Sequence, residues 1–410
     1  MASMSSELEA ATPNAAANGS EPNGKLLVML TPLAPDAVEA MLVLLGSAFA
    51  GREVAVSVPD ISPEAVEGLR QRYPALHVME DTPGTAPAGA WVLTAADFFN
   101  LYKTAKESES SGCLLLGPES QSLGVEAIRG LADAVGKGTD LAVPHYRTGP
   151  REGLVNSALL YPVTRAIFGG RPRFPLAVDL GMSLRMAARL ATVARKFTAM
   201  NQNDALIWPV AEAAAANFSI AEVEAGARTF PQPKSADLNT LLAQIASSLF
   251  TEVETHAAFW QRARVSPQAG LAALPVTLDA DSFPDVQPML ESFQLAYKNL
   301  HEIWSLVLPP NTLLALKRLS QMPPASFRMG DSLWARTVYD FILAYRLRTI
   351  NRGHLLGALT PLYLAWVASH ILLARGGVDP EKHVEEVALA FETDKAYLVS
   401  RWRWPDRFNP

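Results

Sequence analysis

Residues able to do chemistry are sparse in this 410-residue chain. The stretch CLLLGPESQS, Cys113 to Ser122, ends an apolar run in a Gly117-Pro118-Glu119 turn with a single carboxylate, Glu119. A carboxylate at the end of a buried strand can hold a ligand or a cation. A hard divalent ion, however, takes about six oxygens, and this turn offers one charged side chain. The seven histidines, His77, His145, His256, His301, His354, His370 and His383, show no metal-ligand spacing. Walker, dinucleotide-glycine, nucleophile-elbow and paired-histidine zinc motifs are all absent. Arg147, Arg151, Arg171 and Arg173 fall in one stretch. Guanidinium groups bind carboxylates and phosphates through two parallel hydrogen bonds, so a cluster would suit an anionic acceptor or a diphosphate, while each taken singly reads as solvated loop charge. Cys113, the one cysteine, lies in an apolar run and reads as a core thiol; with no second cysteine there is no internal disulfide, which suits a reducing, cytoplasmic compartment.

The elements that must position these groups follow from the apolar periodicity. KLLVMLTP, EVAVSVPD, LHVMED, AWVLT, GCLLLGPE and DLAVPHY read as strands, separated by helical patterns such as PDAVEAMLVLLGSAFA and GVEAIRGLADAVGKG. Such alternation predicts an α/β fold, a mainly parallel sheet with helices on both faces, and parallel sheets bind ligands at the carboxyl ends of their strands. The loops to watch are then 31–36, 58–62, 117–121 and 146–153. From about Asp285 the pattern is helical only, which divides the chain into a disordered polar tail (1–24), an α/β domain (25–284) and an all-helical domain (285–410) whose apolar stripes are core or a homodimer interface. The net charge of −6 and the lack of a basic block speak against a nucleic-acid partner. Leu355 to Ala374 is long enough to span a bilayer but holds Pro361, Ser369 and His370, and is read as a buried helix of a soluble domain rather than a membrane insertion.

The tract YRTGPREGLVNSALLYPVTRAIFGGRPRFPLAVDLGMS, Tyr146 to Ser183, resembles the bacterial glycosyltransferases that include glucosylglycerate and glucosyl-3-phosphoglycerate synthases. Asn156, Ser157, Tyr161, Pro162, Thr164, Arg165, Ala166, Gly169, Pro175, Asp179, Gly181 and Ser183 fall at matching places. GARTFPQPKSADL and the helices through Trp402 continue the likeness, which is poor before Tyr146. The resemblance implies a GT-A-like (Rossmann-like) domain with a helical extension, transferring a hexose from a nucleotide sugar to glycerate or a similar small anionic acceptor. It implies Mg or Mn held by an Asp-x-Asp turn and a later histidine. Asp179, and Asp204 if it is not a helix N-cap, would be the catalytic carboxylates. Pro32, Asp36, Asp60 and Glu119 would face the donor, with Glu119 as metal ligand, and Arg147, Asn156, Arg171 and Arg173 would face the acceptor. Arg165 is expected to pair with Asp179 or Glu152.

The chain departs from that pattern where the metal belongs. Gly117-Pro118-Glu119 replaces the Asp-x-Asp turn, Phe230 stands at the histidine's place, and the nucleotide loops are altered around Pro32 and Asp60, with no Gly-Lys-Gly loop near GAWVLTAAD. Two readings follow. One is a transferase with weakened or absent metal dependence; the other is a catalytically inactive relative acting in binding or assembly.

Overall fold

A computed structural model describes residues 25–59, 61–80, 91–149, 152–231, 237–262 and 283–405. The tail expected over 1–24, together with Asp60 and Arg151, lies outside the described residues. The first part alternates: β1 (Leu26–Leu30), α1 (Pro35–Ala48), β2 (Val54–Val58), α2 (Pro63–Arg72), β3 (Leu76–Glu80), α3 (Ala95–Glu107), β4 (Gly112–Leu116), α4 (Val125–Gly136) and β5 (Leu141–Arg147). Then come α5 (Tyr161–Phe168), β6 (Asp179–Ser183), α6 (Leu184–Thr198), α7 (Pro209–Ala215) and β7 (Ile220–Ala227). Apolar runs buried along their whole length, as in LLVML and GCLLL, form strands covered on both faces.

The seven strands are ordered β3-β2-β1-β4-β6-β5-β7. All are parallel except β6, which runs antiparallel to both β4 and β5 and sets Asp179 opposite Leu116, at the carboxyl end of β4. Helix α4 packs beside α1 and α6 beside α3, each pair lying over the sheet. Gly181 lets α4 approach β6, since a Cβ there would stand 2.9 Å from the carbonyl oxygen of Leu131. The fold class expected from the sequence is observed, with three differences. β6 and β7 were not expected as strands, and Asp179 opens a strand where a turn was expected. AWVLT supplies no named strand: Thr94 makes one isolated bridge to Leu206 and then opens α3, its backbone N–H bonded to Asp97 at 2.7 Å.

The rest is helical: α8 (Leu238–Thr255), α9 (Ala257–Trp260), α10 (Gln287–Asn299), α11 (His301–Ser305), α12 (Pro310–Ser320), α13 (Asp331–Leu347), α14 (Arg352–Arg375) and α15 (Pro380–Arg403). Helix α14, apolar all round, is packed among α8, α10, α13 and α15. Among the described residues it is the one helix long and apolar enough to cross a membrane, and 78% of its apolar window is buried inside the protein. Its Trp366 is fully enclosed, and each such large apolar side chain stabilises by roughly 1.5–3 kcal/mol. Helix α15 also lies along α5, tying the helical layer to the sheet region.

Candidate functional site

The carboxyl end of β4 is a knot of side chains around Asp179. Both Asp179 and Arg228, which follows β7, have wholly buried side chains, and Arg228 Nε donates to Asp179 Oδ2 at 2.9 Å while Nη2 donates to Oδ1 at 3.3 Å. Tyr146, near the end of β5, donates its hydroxyl to Oδ2 at 2.7 Å, and the Gly117 N–H donates to Oδ1 at 3.1 Å. The guanidinium also ties down the turn. Nη2 reaches the Pro118 carbonyl at 2.6 Å, and Nη1 reaches the Glu119 carbonyl at 2.7 Å and Ser122 Oγ at 3.2 Å. Burial, the largest single influence, lowers the proton affinity of Arg228, but the Asp179 charge and its hydrogen bonds, with Tyr146 and Glu119 nearby, together outweigh it and hold the guanidinium above its ordinary value. Burial, then the Asp179 charge, drives the Tyr146 hydroxyl well above its ordinary value, so it stays a donor. A buried charge needs this degree of pairing to be tolerated.

Local sequence explains the shape. Gly117 is needed because a Cβ there would lie 2.4 Å from the Val178 carbonyl oxygen, and Glu119 takes a left-handed φ of 62°. Phe230 packs edge-on to Tyr146, ring centroids 5.2 Å apart, and stacks with Phe174 at 6.1 Å. Where the resemblance places a metal-binding histidine, the chain therefore has an aromatic cluster.

The expected Mg or Mn does not fit this turn. Both oxygens of Asp179 and the carbonyls of Pro118 and Glu119 already accept hydrogen bonds, largely from a fixed cation. The Glu119 carboxylate, expected as the metal ligand, is exposed and accepts from Gln121 Nε2 at 2.7 Å. A second cation there would meet the Arg228 charge, with the Asp179 carboxylate already paired to that guanidinium.

The other expected site residues are dispersed. Asp204, the second expected catalytic carboxylate, is exposed in a turn whose neighbours Asn203 and Ala205 accept from the N–H groups of Ala96 and Ala95. It caps no helix, since α7 begins at Pro209 after Trp208. Pro32 and Asp36 are exposed beside the end of β1, Asp36 in the first turn of α1. The hydroxyls of Thr31, the residue after β1, of Ser57 on β2 and of Ser120 in the turn after β4 are buried without a hydrogen-bond partner. Arg147 is half exposed, 3.9 Å from Glu224. Asn156 is partly buried, and its Nδ2 donates to the Arg173 carbonyl at 2.8 Å. Arg173 is buried and turned to the helical layer, with Nε 3.0 Å from Glu381 and Nη2 2.9 Å from Ser157 Oγ. Arg171 is partly buried with Nε unpartnered. Arg165 pairs with Glu385 and Glu392 of α15, not with Asp179 or Glu152, because α5 lies along α15. Sequence reasoning missed Arg228 and Tyr146 as the partners of Asp179. The residues were in view, in GART and at the head of the matched tract, but their pairing joins strands 33 and 49 positions from Asp179.

Comparison places these features beside known proteins. The chain is similar to glycosyltransferase structures. Glucosyl-3-phosphoglycerate synthase from Mycobacterium tuberculosis in complex with phosphoglyceric acid aligns at 13% identity with a TM-score of 0.35, over 56% of this chain and 80% of that one. The same enzyme with Mn2+, UDP and glucosyl-3-phosphoglycerate aligns at 14% identity and 0.35, again over 56% and 80%. With Mn2+, UDP-glucose and glycerol 3-phosphate the values are 14% and 0.36, over the same shares. Likeness at this level carries no argument about activity. No protein-family model matches the sequence, and no curated protein does.

Proposed function

We propose that this chain is a glycosyltransferase-like protein that takes a nucleotide sugar and a small anionic ligand such as glycerate or its phosphate at the carboxyl edge of its sheet, without a divalent cation. The observation that carries the reading is Arg228. Its guanidinium sits at the end of β4, bonded to Asp179 and to the turn carbonyls, so the turn keeps its shape with no metal. The matched tract from Tyr146 to Ser183 and the seven-stranded sheet support the ligand class.

A second reading, a relative that binds without transferring, is favoured by the placement of the two carboxylates. Asp179 is enclosed with both oxygens engaged, and a general base must reach the proton it takes. Asp204 is exposed on a turn docked to α3.

Calorimetry with UDP-glucose and GDP-sugars, in EDTA and then in Mn2+ or Mg2+, tests the reading. Binding of equal strength with and without metal is expected. Binding seen only with metal would refute the metal-free site, and no binding of any donor would remove the nucleotide-sugar reading. Labelled hexose appearing on glycerate or 3-phosphoglycerate would decide for transfer over binding alone.

A further inference from the structure

Away from the sheet edge, Glu212 of α7 meets Glu252 and His256 at the end of α8. His256 Nε2 lies 3.2 Å from Glu212 Oε1 and 3.1 Å from Glu252 Oε1, and the three ligand atoms are all within 4.8 Å of one another. Glu252 on the last turn of α8 and His256, the residue that caps it, are four positions apart and so present to the same side.

Two features separate this group from an ordinary ion pair. First, one ring nitrogen carries at most one proton, yet two carboxylates converge on it. Glu212 Oε1 is hydrogen-bonded to the ring, whereas Glu252 Oε1 is shielded from solvent with no hydrogen bond. A buried carboxylate oxygen without a donor is costly, and a cation between the three atoms would satisfy it. Second, the spacing suits a metal. Ligand atoms about 2.0–2.1 Å from a tetrahedral zinc stand about 3.3–3.5 Å apart, so the two separations from Nε2 need to open by only a few tenths of an ångström, and the two carboxylate oxygens, within 4.8 Å of each other, need to settle at the same spacing.

The surroundings fit the same reading. Arg189 Nε donates to the outer oxygen of Glu212, Oε2, at 2.7 Å, and an outer-shell donor of this kind orients a ligating carboxylate. The Phe168 ring packs nearly perpendicular to the imidazole, centroids 5.9 Å apart. Glu212 is 5% exposed while Glu252 and His256 are 13% and 12% exposed, so the group lies just beneath the surface, within reach of a water that would complete the set. One imidazole with two carboxylates is a donor set for a first-row divalent ion rather than for calcium or magnesium.

We propose that Glu212, Glu252 and His256 form a zinc site that clasps α7 to α8. Binding joins Nε2 and the two Oε1 atoms to the ion and releases to solvent any proton held on Nε2. The site is separate from the β4 turn, so it stands or falls independently of the nucleotide-sugar reading.

The test uses the full chain stripped by a chelator and titrated with ZnCl2 against a chromophoric competitor, with CoCl2 as a spectroscopic substitute. One ion per chain, a raised Tm and the visible absorption of a four- or five-coordinate cobalt ion are expected. Glu252→Gln should weaken zinc binding by at least about tenfold and abolish the cobalt band. His256→Gln should do the same and serves if the first variant folds poorly. His354→Gln, an exposed histidine outside the group, should bind as the parent does. Absence of stoichiometric binding, or parental binding in folded Glu252→Gln or His256→Gln, would show that the group is only an ion-pair cluster and overturn the proposal.

Discussion

Removing Arg228 should unfold the β4 turn's logic in a measurable way. In Arg228→Ala the Asp179 carboxylate keeps only the Tyr146 hydroxyl and the Gly117 N–H, and the carbonyls of Pro118 and Glu119 lose their guanidinium donor. Deleting one partner of a buried ion pair costs about 3–5 kcal/mol. An independent bound agrees: the stranded carboxyl can escape by taking up a proton, which for an ordinary aspartate at pH 7 costs about 4 kcal/mol. The deficit should therefore shrink as pH falls toward 4, because the variant binds a proton on folding that the unfolded chain does not. Urea unfolding of the parent and of Arg228→Ala at pH 7 and pH 4.5 measures both effects. The double variant Asp179→Asn with Arg228→Met removes both charges and should recover at least half of the loss, since a neutral filler of similar volume replaces the pair. A loss below about 1 kcal/mol in Arg228→Ala, or a deficit independent of pH, would refute the account of Arg228 as the cation that holds the turn.

Three further outcomes are expected. His370, buried and stacked on Trp366 with its Nδ1 2.7 Å from His383 Nδ1, is held down at about 3 by burial, then by the nearby charges of His383 and Arg173, with Asp331 opposing. Its neutral form thus contributes stability that is full above the unfolded value near 6.5 and lost as pH falls toward 3, at about 1.4 kcal/mol per pH unit. Between pH 6.5 and 4 the parent should lose about 3 kcal/mol more than His370→Phe in urea titrations, and parallel pH profiles would contradict this. Gly117→Ala sets a methyl 2.4 Å from the Val178 carbonyl oxygen and should cost about 1–3 kcal/mol; a neutral effect by thermal unfolding would show that the β4 turn yields freely. Burial pushes the Cys113 thiol up to about 12, so a thiol reagent should label it only after denaturant is added, and rapid labelling of the native protein would place the residue elsewhere.

The sequence by itself determined the layers. Period-two and unbroken apolar runs marked β1 to β5, helical spacing marked the covering helices, and the density of apolar positions after Asp285 marked a buried helical layer, because these signals depend only on near neighbours in the chain. The departure of the β4 turn from the metal pattern that the resemblance implies was equally legible, since it is a matter of residue type at Glu119 and Phe230. β6 and β7 were not legible: DLGMS is five residues with a glycine at its centre, and only pairing with β4 and β5 makes it a strand. The fate of the charges lay further out of reach. Asp179 and Arg173 read as free to meet a ligand, and Arg165 as a partner of Asp179 or Glu152, yet each is held by a partner 49 or more positions away, Arg228, Glu381 and Glu385. Which charge is enclosed and which faces solvent follows from strand order and from how α15 lies on α5. Burial makes a charge take a partner wherever the fold brings one, and the separation of the two in sequence carries no signal of it.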